Sequence, residues 1–116
     1  MAEITEVTSD NFESAVLSSE QALLVYYYAP WCIPCKDMKE TVAAVADEIA
    51  EKIKTVRVNT DSEDVIVTRQ KIVSIPSFQL IEKGKQVALL RGKQSKLDLI
   101  GGLTSALTAN GESDGE

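Results

Sequence analysis

Two cysteines separated by two residues carry the strongest chemical signal in this chain. Cys32 and Cys35 stand in the segment 31–36 (WCIPCK), and they are the only cysteines among the 116 residues. Such a pair can perform thiol–disulfide exchange, because one thiolate attacks a disulfide and the second thiol then displaces the product. Two intervening residues also allow the sulfurs to close into an unstrained disulfide. A lone pair of this spacing therefore indicates redox chemistry first.

The remaining composition narrows the classes of function. The chain has no histidine, so no cysteine–histidine or serine–histidine catalytic pair can form. Two cysteines also fall short of the four ligands that a structural zinc site needs, and we expect no metal. The formal net charge of −6 argues against nucleic acid as a partner, because binding phosphates requires clustered Lys and Arg. No apolar run is long enough to span a membrane, and the acidic start Met1–Glu6 does not resemble a secretory signal.

The segments on either side of the cysteines must position them. Ala22–Tyr28 (ALLVYYY) is apolar or aromatic throughout and is predicted to be a buried central strand. From Pro34 to about Ile53, apolar residues recur every three or four positions, which predicts a helix. The pair then lies where a strand ends and a helix begins, the usual place for sites in α/β sheets. Unpaired amide N–H groups and the helix dipole there would lower the pKa of Cys32, while Cys35 lies one turn further on.

The other segments complete an α/β pattern. Further strands are predicted at Ile4–Val7, Thr55–Asn59, Ser77–Ile81 and Gln86–Leu90. Further helices are predicted at Asn11–Ser18, at Ser62–Lys71 with Asp61 or Ser62 as cap, and after a cap at Ser95. The order β-α-β-α-β-α-β-β-α predicts a central mixed sheet flanked by helices, with parallel strands first and an antiparallel hairpin last. We assign residues 1–108 to one domain and residues 109–116 to a flexible acidic tail.

The segment 31–36 resembles the active-site sequence of the thioredoxin family, which is itself a standard example of cysteine activation. Further matches are Ala29, Ile75-Pro76, Gly84 and Gly92, so the resemblance covers about residues 3–108. It implies the thioredoxin fold and a thiol–disulfide oxidoreductase, namely a protein-disulfide reductase that serves electron transport and cell redox homeostasis. It also implies that no cofactor is bound and that the redox-active group is a Cys32–Cys35 disulfide.

The resemblance also assigns roles to single residues. Cys32 would be the nucleophile and Cys35 the resolving cysteine. Pro76 would be cis and face this pair, and the backbone of Ile75 would pair with a substrate strand. The residues that would form the apolar docking surface are Trp31, Ile33, Pro34, Ile75, Pro76 and Gly92. The partners would be proteins that contain disulfides and a flavin- or ferredoxin-linked thioredoxin reductase, and we expect a cytoplasmic monomer.

Four positions depart from the family pattern and would modulate the chemistry. Tyr26 replaces a buried aspartate that assists proton transfer at the second cysteine, and a tyrosine with a pKa of about 10 is a poor base at neutral pH. Arg57 accompanies it where a lysine is common, and because an unpaired buried charge is costly we expect its head group to turn outward or to pair elsewhere. Ile33 replaces a glycine, and Glu40 replaces a kink-forming proline. We therefore expect a straighter helix in which Glu40 can approach Lys36.

Plainer interpretations stay open beside these. The cysteines could form a purely structural disulfide, Trp31 could be a core aromatic, Pro76 a trans proline and Arg57 a surface residue. The chain could also act as an oxidant or isomerase, although such roles belong to oxidising compartments. In a different class, it could be a thioredoxin-fold binding or assembly module with weak or no turnover, for which Tyr26 and Glu40 leave room.

Overall fold

Residues 4–114 are described by the computed structural model of this protein, and side chains are described as far as Leu107. The strands in this range are β1 (Thr5–Glu6), β2 (Ala22–Tyr28), β3 (Ile53–Asn59), β4 (Ser77–Glu82) and β5 (Lys85–Arg91). The helices are α1 (Ile33–Asp37), α2 (Lys39–Ile49), α3 (Asp64–Gln70) and α4 (Lys96–Asp114), and a short π-helical segment spans Glu13–Leu17. This order is the alternation that the sequence predicts, except that the first long helix is divided in two.

Within this part of the chain the strands form a mixed sheet in the order β1-β3-β2-β4-β5. Both β1 and β2 pair in parallel with β3, whereas β2 with β4 and β4 with β5 pair antiparallel. The β4–β5 hairpin turns at Lys83 and Gly84, whose φ angles of 53° and 80° are typical of a two-residue type I′ turn. A Cβ at Gly84 would lie 2.9 Å from the carbonyl oxygen of Leu17, so the turn requires glycine there. The predicted mixed sheet flanked by helices is confirmed.

Strand β2 is the centre of two cores, one on each face of the sheet. Its alternate side chains point to opposite faces. Leu24 and Tyr26 pack among buried residues of α2 and α4, whereas Leu23 and Tyr27 pack with the π-helical segment and α3. Because both faces are covered, all of β2 except Tyr28 is buried, which explains its uninterrupted apolar and aromatic sequence. A strand held on both faces gives the loop that follows it a fixed starting point.

The helix predicted from Pro34 to Ile53 is wrong in two respects, because it is interrupted at Met38 and ends at Ile49. The N–H of Met38 is shared between the carbonyl oxygens of Pro34 (3.2 Å) and Cys35 (3.1 Å). Its ψ of −9° departs from the α-helical value of about −42°, so the chain tightens locally. The expected straight helix is therefore absent even without a proline at position 40. Ile53 instead begins β3 and pairs with β2.

The other boundaries lie within a few residues of the predictions. The predicted cap of α3 at Asp61 or Ser62 is wrong: Glu63 is the N-cap residue and makes no side-chain cap hydrogen bond. Ser95 does cap α4, since its Oγ accepts from the N–H of Asp98 (3.1 Å). That helix continues to Asp114, and the division into a domain and a flexible tail from residue 109 stays a prediction. Among the described residues, no helix is both long and apolar enough to cross a membrane.

Candidate active site

The two cysteines lie in the turn that leads from β2 into α1. Cys32 is the N-cap residue of α1 with extended backbone angles (φ −79°, ψ 111°), and its N–H donates to the carbonyl oxygen of Ala29 (3.1 Å). Cys35 lies within α1, with 5.2 Å between the two Cα atoms, and the sulfurs form a disulfide. The two residues are 3% and 4% exposed. The predicted cysteine pair at the carboxyl end of β2 is therefore present.

The sulfur of Cys32 takes the place of an ordinary capping side chain. Its Sγ accepts a hydrogen bond from the backbone N–H of Cys35 (3.2 Å). An N–H directed at this sulfur favours the anionic form, because the first amides of a helix have no partner within the helix. Pro34 stands among these first residues, where its missing N–H is no loss. When the disulfide opens, Cys32 is therefore the sulfur better placed to become a thiolate.

Exposed apolar side chains accompany the disulfide. Trp31 and Ile33 flank Cys32 in sequence and are 64% and 69% exposed, and Val73 is 80% exposed. The indole Nε1–H of Trp31 donates to Oδ1 of Asp61 (2.9 Å), which fixes the ring. Trp31 and Val73 line a groove of about 230 Å³ that also includes Ile75. The sequence predicts Trp31 and Ile33 on this surface but not Val73 or Asp61, because neither belongs to a recognisable motif. The interpretation of Trp31 as a core aromatic is wrong.

The loop before β4 packs against the cysteines. The Ile75–Pro76 peptide bond is cis, as the resemblance implies. Ile75 contacts the small buried cluster that both cysteines form with Ala29, and Pro76 is itself buried. Gly92, with a φ of 83°, donates its N–H to the carbonyl oxygen of Pro76 (2.8 Å). The structure thus brings Ile75, Pro76 and Gly92 to one place, while Pro34 is exposed at the start of α1.

Tyr26 lies directly behind the disulfide. Its side chain is buried, and its hydroxyl donates to the backbone carbonyl oxygen of Cys35 (3.1 Å). The ring stacks between Phe78 and Tyr28, with centroid distances of 5.3 and 5.7 Å. The pKa of Tyr26 is raised to about 12, mainly by burial and also by the nearby Tyr28, while Arg57 partly opposes the rise. Tyr26 is therefore a neutral hydrogen-bond donor at physiological pH and does not act as a base there.

Arg57 turns away from this interior. Its Nε donates to Oε1 of Glu6 (2.7 Å), and its guanidinium lies over the ring of Tyr28 at 5.5 Å. The hydroxyl of Tyr28 donates to both carboxylate oxygens of Glu6 (2.9 Å each), and the ion pair is about 40% exposed, at 44% and 39% for its two side chains. The prediction that Arg57 pairs elsewhere is confirmed. Glu6 was not predicted as the partner of Arg57, although the parallel pairing of β1 with β3 places the two residues opposite each other.

A cavity of about 210 Å³ opens beside Cys35. The residues that line it are Ile4, Tyr26, Tyr28, Ala29, Pro30, Cys35, Lys36, Lys39, Val42 and Arg57. Lys36 is exposed at its rim and, among the described side chains, forms no ion pair with Glu40, so that expected contact is wrong. Within the same described residues no cluster of three acidic, histidine or cysteine side chains could hold a metal ion.

Comparison with known proteins agrees with this geometry. Residues 3–105 match the family model described as thioredoxin. The thioredoxin of Griffithsia pacifica is 36% identical over 104 residues, which cover 90% of this chain and 95% of the relative. Thioredoxin 1 of Nostoc sp. is 34% identical over 99 residues (85% and 92% coverage). The chloroplastic M-type thioredoxin of Chlamydomonas reinhardtii is 33% identical over 99 residues (85% and 71% coverage).

The fold and the disulfide at the end of β2 define a thiol–disulfide oxidoreductase that carries its redox-active group in its own chain. Because the match spans nearly the whole chain, the protein belongs to the thioredoxin family. Members of this family are protein-disulfide reductases that need no cofactor, act on disulfide-containing substrates and are themselves reduced by reductases.

Proposed function

We propose that this protein reduces disulfides in other proteins, with Cys32 as nucleophile and Cys35 as resolving cysteine. The observation that carries this assignment is the hydrogen bond from the N–H of Cys35 to Sγ of Cys32. It stabilises negative charge on one sulfur of the pair only, and the thiolate is the reactive form. The two residues are close enough for the second sulfur to reach the first, since they form a disulfide.

The reaction proceeds by two exchanges. The thiolate of Cys32 attacks one sulfur of the substrate disulfide; a bond forms between them, and the other substrate sulfur leaves as a thiolate that takes up a proton. Cys35 then loses its proton and attacks Sγ of Cys32. The Cys32–Cys35 bond forms, the bond to the substrate breaks, and the substrate leaves with both sulfurs reduced. Two electrons have passed from the protein to the substrate.

Substrate docking would use the apolar residues around the pair. Trp31, Ile33 and Val73 present exposed apolar surface, and the groove between Trp31 and Ile75 is suited to an extended apolar segment. The backbone of Ile75, before the cis Pro76, would pair with the substrate by β-type hydrogen bonds. Contacts of this kind bind a strand through its backbone, so the protein would accept several substrates.

The wider role follows from the direction of electron flow. A thioredoxin reductase, flavin- or ferredoxin-linked, would return the disulfide to the dithiol, and the protein would serve electron transport and redox homeostasis as a monomer. A reducing role fits the cytoplasm, where thiols are kept reduced. Fractionation of cells followed by detection of the native protein tests this location, and recovery from an oxidising compartment would contradict it.

The roles of the cysteines are tested with insulin and dithiothreitol. The native protein should speed insulin precipitation by dithiothreitol, and Cys32→Ser should reduce the rate to that without protein. When the reduced Cys35→Ser variant is freed of dithiothreitol and then mixed with insulin, it should remain linked to the substrate as a stable mixed disulfide. Mixed disulfides trapped through Cys35 in a Cys32→Ser variant would reverse the roles. If native protein and the variant without cysteines bind partners equally and neither reduces insulin, the chain is a binding module instead.

A further inference from the structure

Cys35 must lose a proton before it can attack, and it is almost completely buried. Its residue is 4% exposed in the disulfide form. Burial disfavours the charged thiolate, so a buried thiol holds its proton more tightly than one in water. A base within reach is therefore needed at the resolving step, and this requirement rests on the proposed function of the pair.

The side chains that face Cys35 do not supply that base. The hydroxyl of Tyr26, on β2, already donates to the Cys35 carbonyl, and its pKa of about 12 keeps it protonated. Lys36 on α1, Lys39 on α2 and Arg57 on β3 are cations, and the chain has no histidine. The described residues that line the cavity beside Cys35 include no carboxylate. Glu6, on β1, is held by Arg57 and by the hydroxyl of Tyr28.

The cavity has the features of an entry path for a small anion. Its volume of about 210 Å³ exceeds the roughly 30 Å³ share of a water molecule several-fold, so a small oxyanion has room. Three of its lining residues are cationic in a chain whose net charge is −6. All three are exposed, and Arg57 is paired with Glu6, so Lys36 and Lys39 are the two that we expect to attract an anion. Cationic groups around a cleft raise the local concentration of anions within it.

We propose that the cavity beside Cys35 admits a small oxyanion from solution, of the phosphate or carboxylate class, which takes the Cys35 proton in place of a protein side chain. The proton passes from the thiol to the anion. The thiolate so formed attacks Sγ of Cys32, and the substrate sulfur leaves. The anion departs in its protonated form, so no oxidant or reductant is consumed beyond those of the disulfide exchange itself.

A single turnover of the reduced protein with an uncharged dipyridyl disulfide tests this proposal. Attack by Cys32 releases one thiopyridone, and attack by Cys35 releases the second, so absorbance separates the two steps in stopped flow. Because thiopyridone is a good leaving group, proton transfer from Cys35 should limit the rate of the second step. General-base catalysis should therefore be observable in that step. At constant pH and ionic strength, the second rate should rise linearly with inorganic phosphate, while the first should not change.

Substitutions of single lysines test whether the phosphate dependence of the second rate arises at the cavity. Lys39→Gln should lower the phosphate-dependent slope about twofold to fivefold, the effect of one unit charge a few ångström away in a water-like dielectric. Lys85→Gln, an exposed lysine of the distant strand β5, is the matched control and should keep the native slope. With neutral imidazole as the base, the slopes of native protein and Lys39→Gln should be equal, because no anion is attracted.

Three results would overturn the proposal. A second rate that does not depend on phosphate would show that the proton leaves without an external base. A fall in that rate in Glu6→Gln, with no phosphate dependence in the native protein, would assign the role to Glu6. Equal slopes in Lys39→Gln and native protein would exclude the cavity as the entry path. Absence of the first thiopyridone release would instead refute the assignment of Cys32, and so the proposed function itself.

Discussion

Removal of the Tyr26 hydroxyl tests the contact between β2 and Cys35 alone. Tyr26→Phe keeps the ring that stacks between Phe78 and Tyr28 and deletes only the hydrogen bond to the Cys35 carbonyl oxygen (3.1 Å). That oxygen still accepts from the N–H of Met38 (3.1 Å), so no buried acceptor is left without a partner. The expected loss is therefore that of one ordinary buried hydrogen bond, about 1 kcal/mol in the free energy of unfolding at neutral pH.

The same substitution should have the opposite effect in alkali. The pKa of Tyr26 is raised from 10.0 to about 12, mainly by burial. The folded state therefore binds this proton more tightly than the unfolded state does. The resulting contribution to the free energy of unfolding is fully present below pH 10 and is lost as the pH rises toward 12. Two pKa units correspond to about 2.7 kcal/mol. Phenylalanine has no proton to lose, so the stability curves of native protein and Tyr26→Phe should cross at about pH 11.

Urea unfolding of the disulfide form, followed by circular dichroism from pH 7 upward, measures both effects. Tyr28→Phe is the matched control, because its hydroxyl binds the half-exposed carboxylate of Glu6, where water can replace it. It should cost about 0.5 kcal/mol or less at neutral pH. A difference between Tyr26→Phe and native protein that stays constant up to pH 11 would refute the reasoning, as would a neutral-pH loss no larger than that of the control.

Two pairs of substitutions test other local features. Glu40→Pro should cost less than about 1 kcal/mol, because it falls in the first turn of α2 beyond the break. Glu48→Pro, near the end of that helix, should cost about 3 kcal/mol or more; equal melting temperatures would contradict the break. Gly101→Ala in α4 meets no atom within 4 Å and should stabilise by about 1 kcal/mol. In Gly102→Ala the new Cβ would lie 2.8 Å from Cδ2 of Leu90, so thermal unfolding should show a smaller gain or a loss.

Much of the framework could be predicted because its signals are local and strong. The run Ala22–Tyr28 has the same bounds in the structure as in the sequence analysis, since a strand buried on both faces is apolar throughout. The Lys83-Gly84 turn between two apolar runs fixes the hairpin in the same way. The WCIPCK segment predicted the cysteine pair at the start of a helix, because its chemistry depends on neighbouring residues alone.

Features that depend on distant partners could not be predicted in this way. Ile53 continues the helical spacing from Ile49 but is also the first buried residue of β3, and pairing with β2 decides between the two. Val73 has no motif and becomes part of the site only because the loop before β4 brings it to the groove beside Trp31. The break at Met38 arises from how one amide is shared between two carbonyl oxygens, which apolar periodicity does not encode.

The departures from the family pattern at positions 26 and 57 are physically consistent with each other. A carboxylate at position 26 would be buried behind Cys35, where it would need a cation to remain charged. Arg57, the cation opposite Tyr26 in the β2–β3 register, is instead bound to Glu6 at the exposed end of β1. A neutral phenol needs no counterion, and its hydroxyl finds an acceptor in the Cys35 backbone. The described residues that line the cavity beside Cys35 include cations at its rim but no carboxylate, and this arrangement is the basis of the proposal that the Cys35 proton passes to an anion from solution.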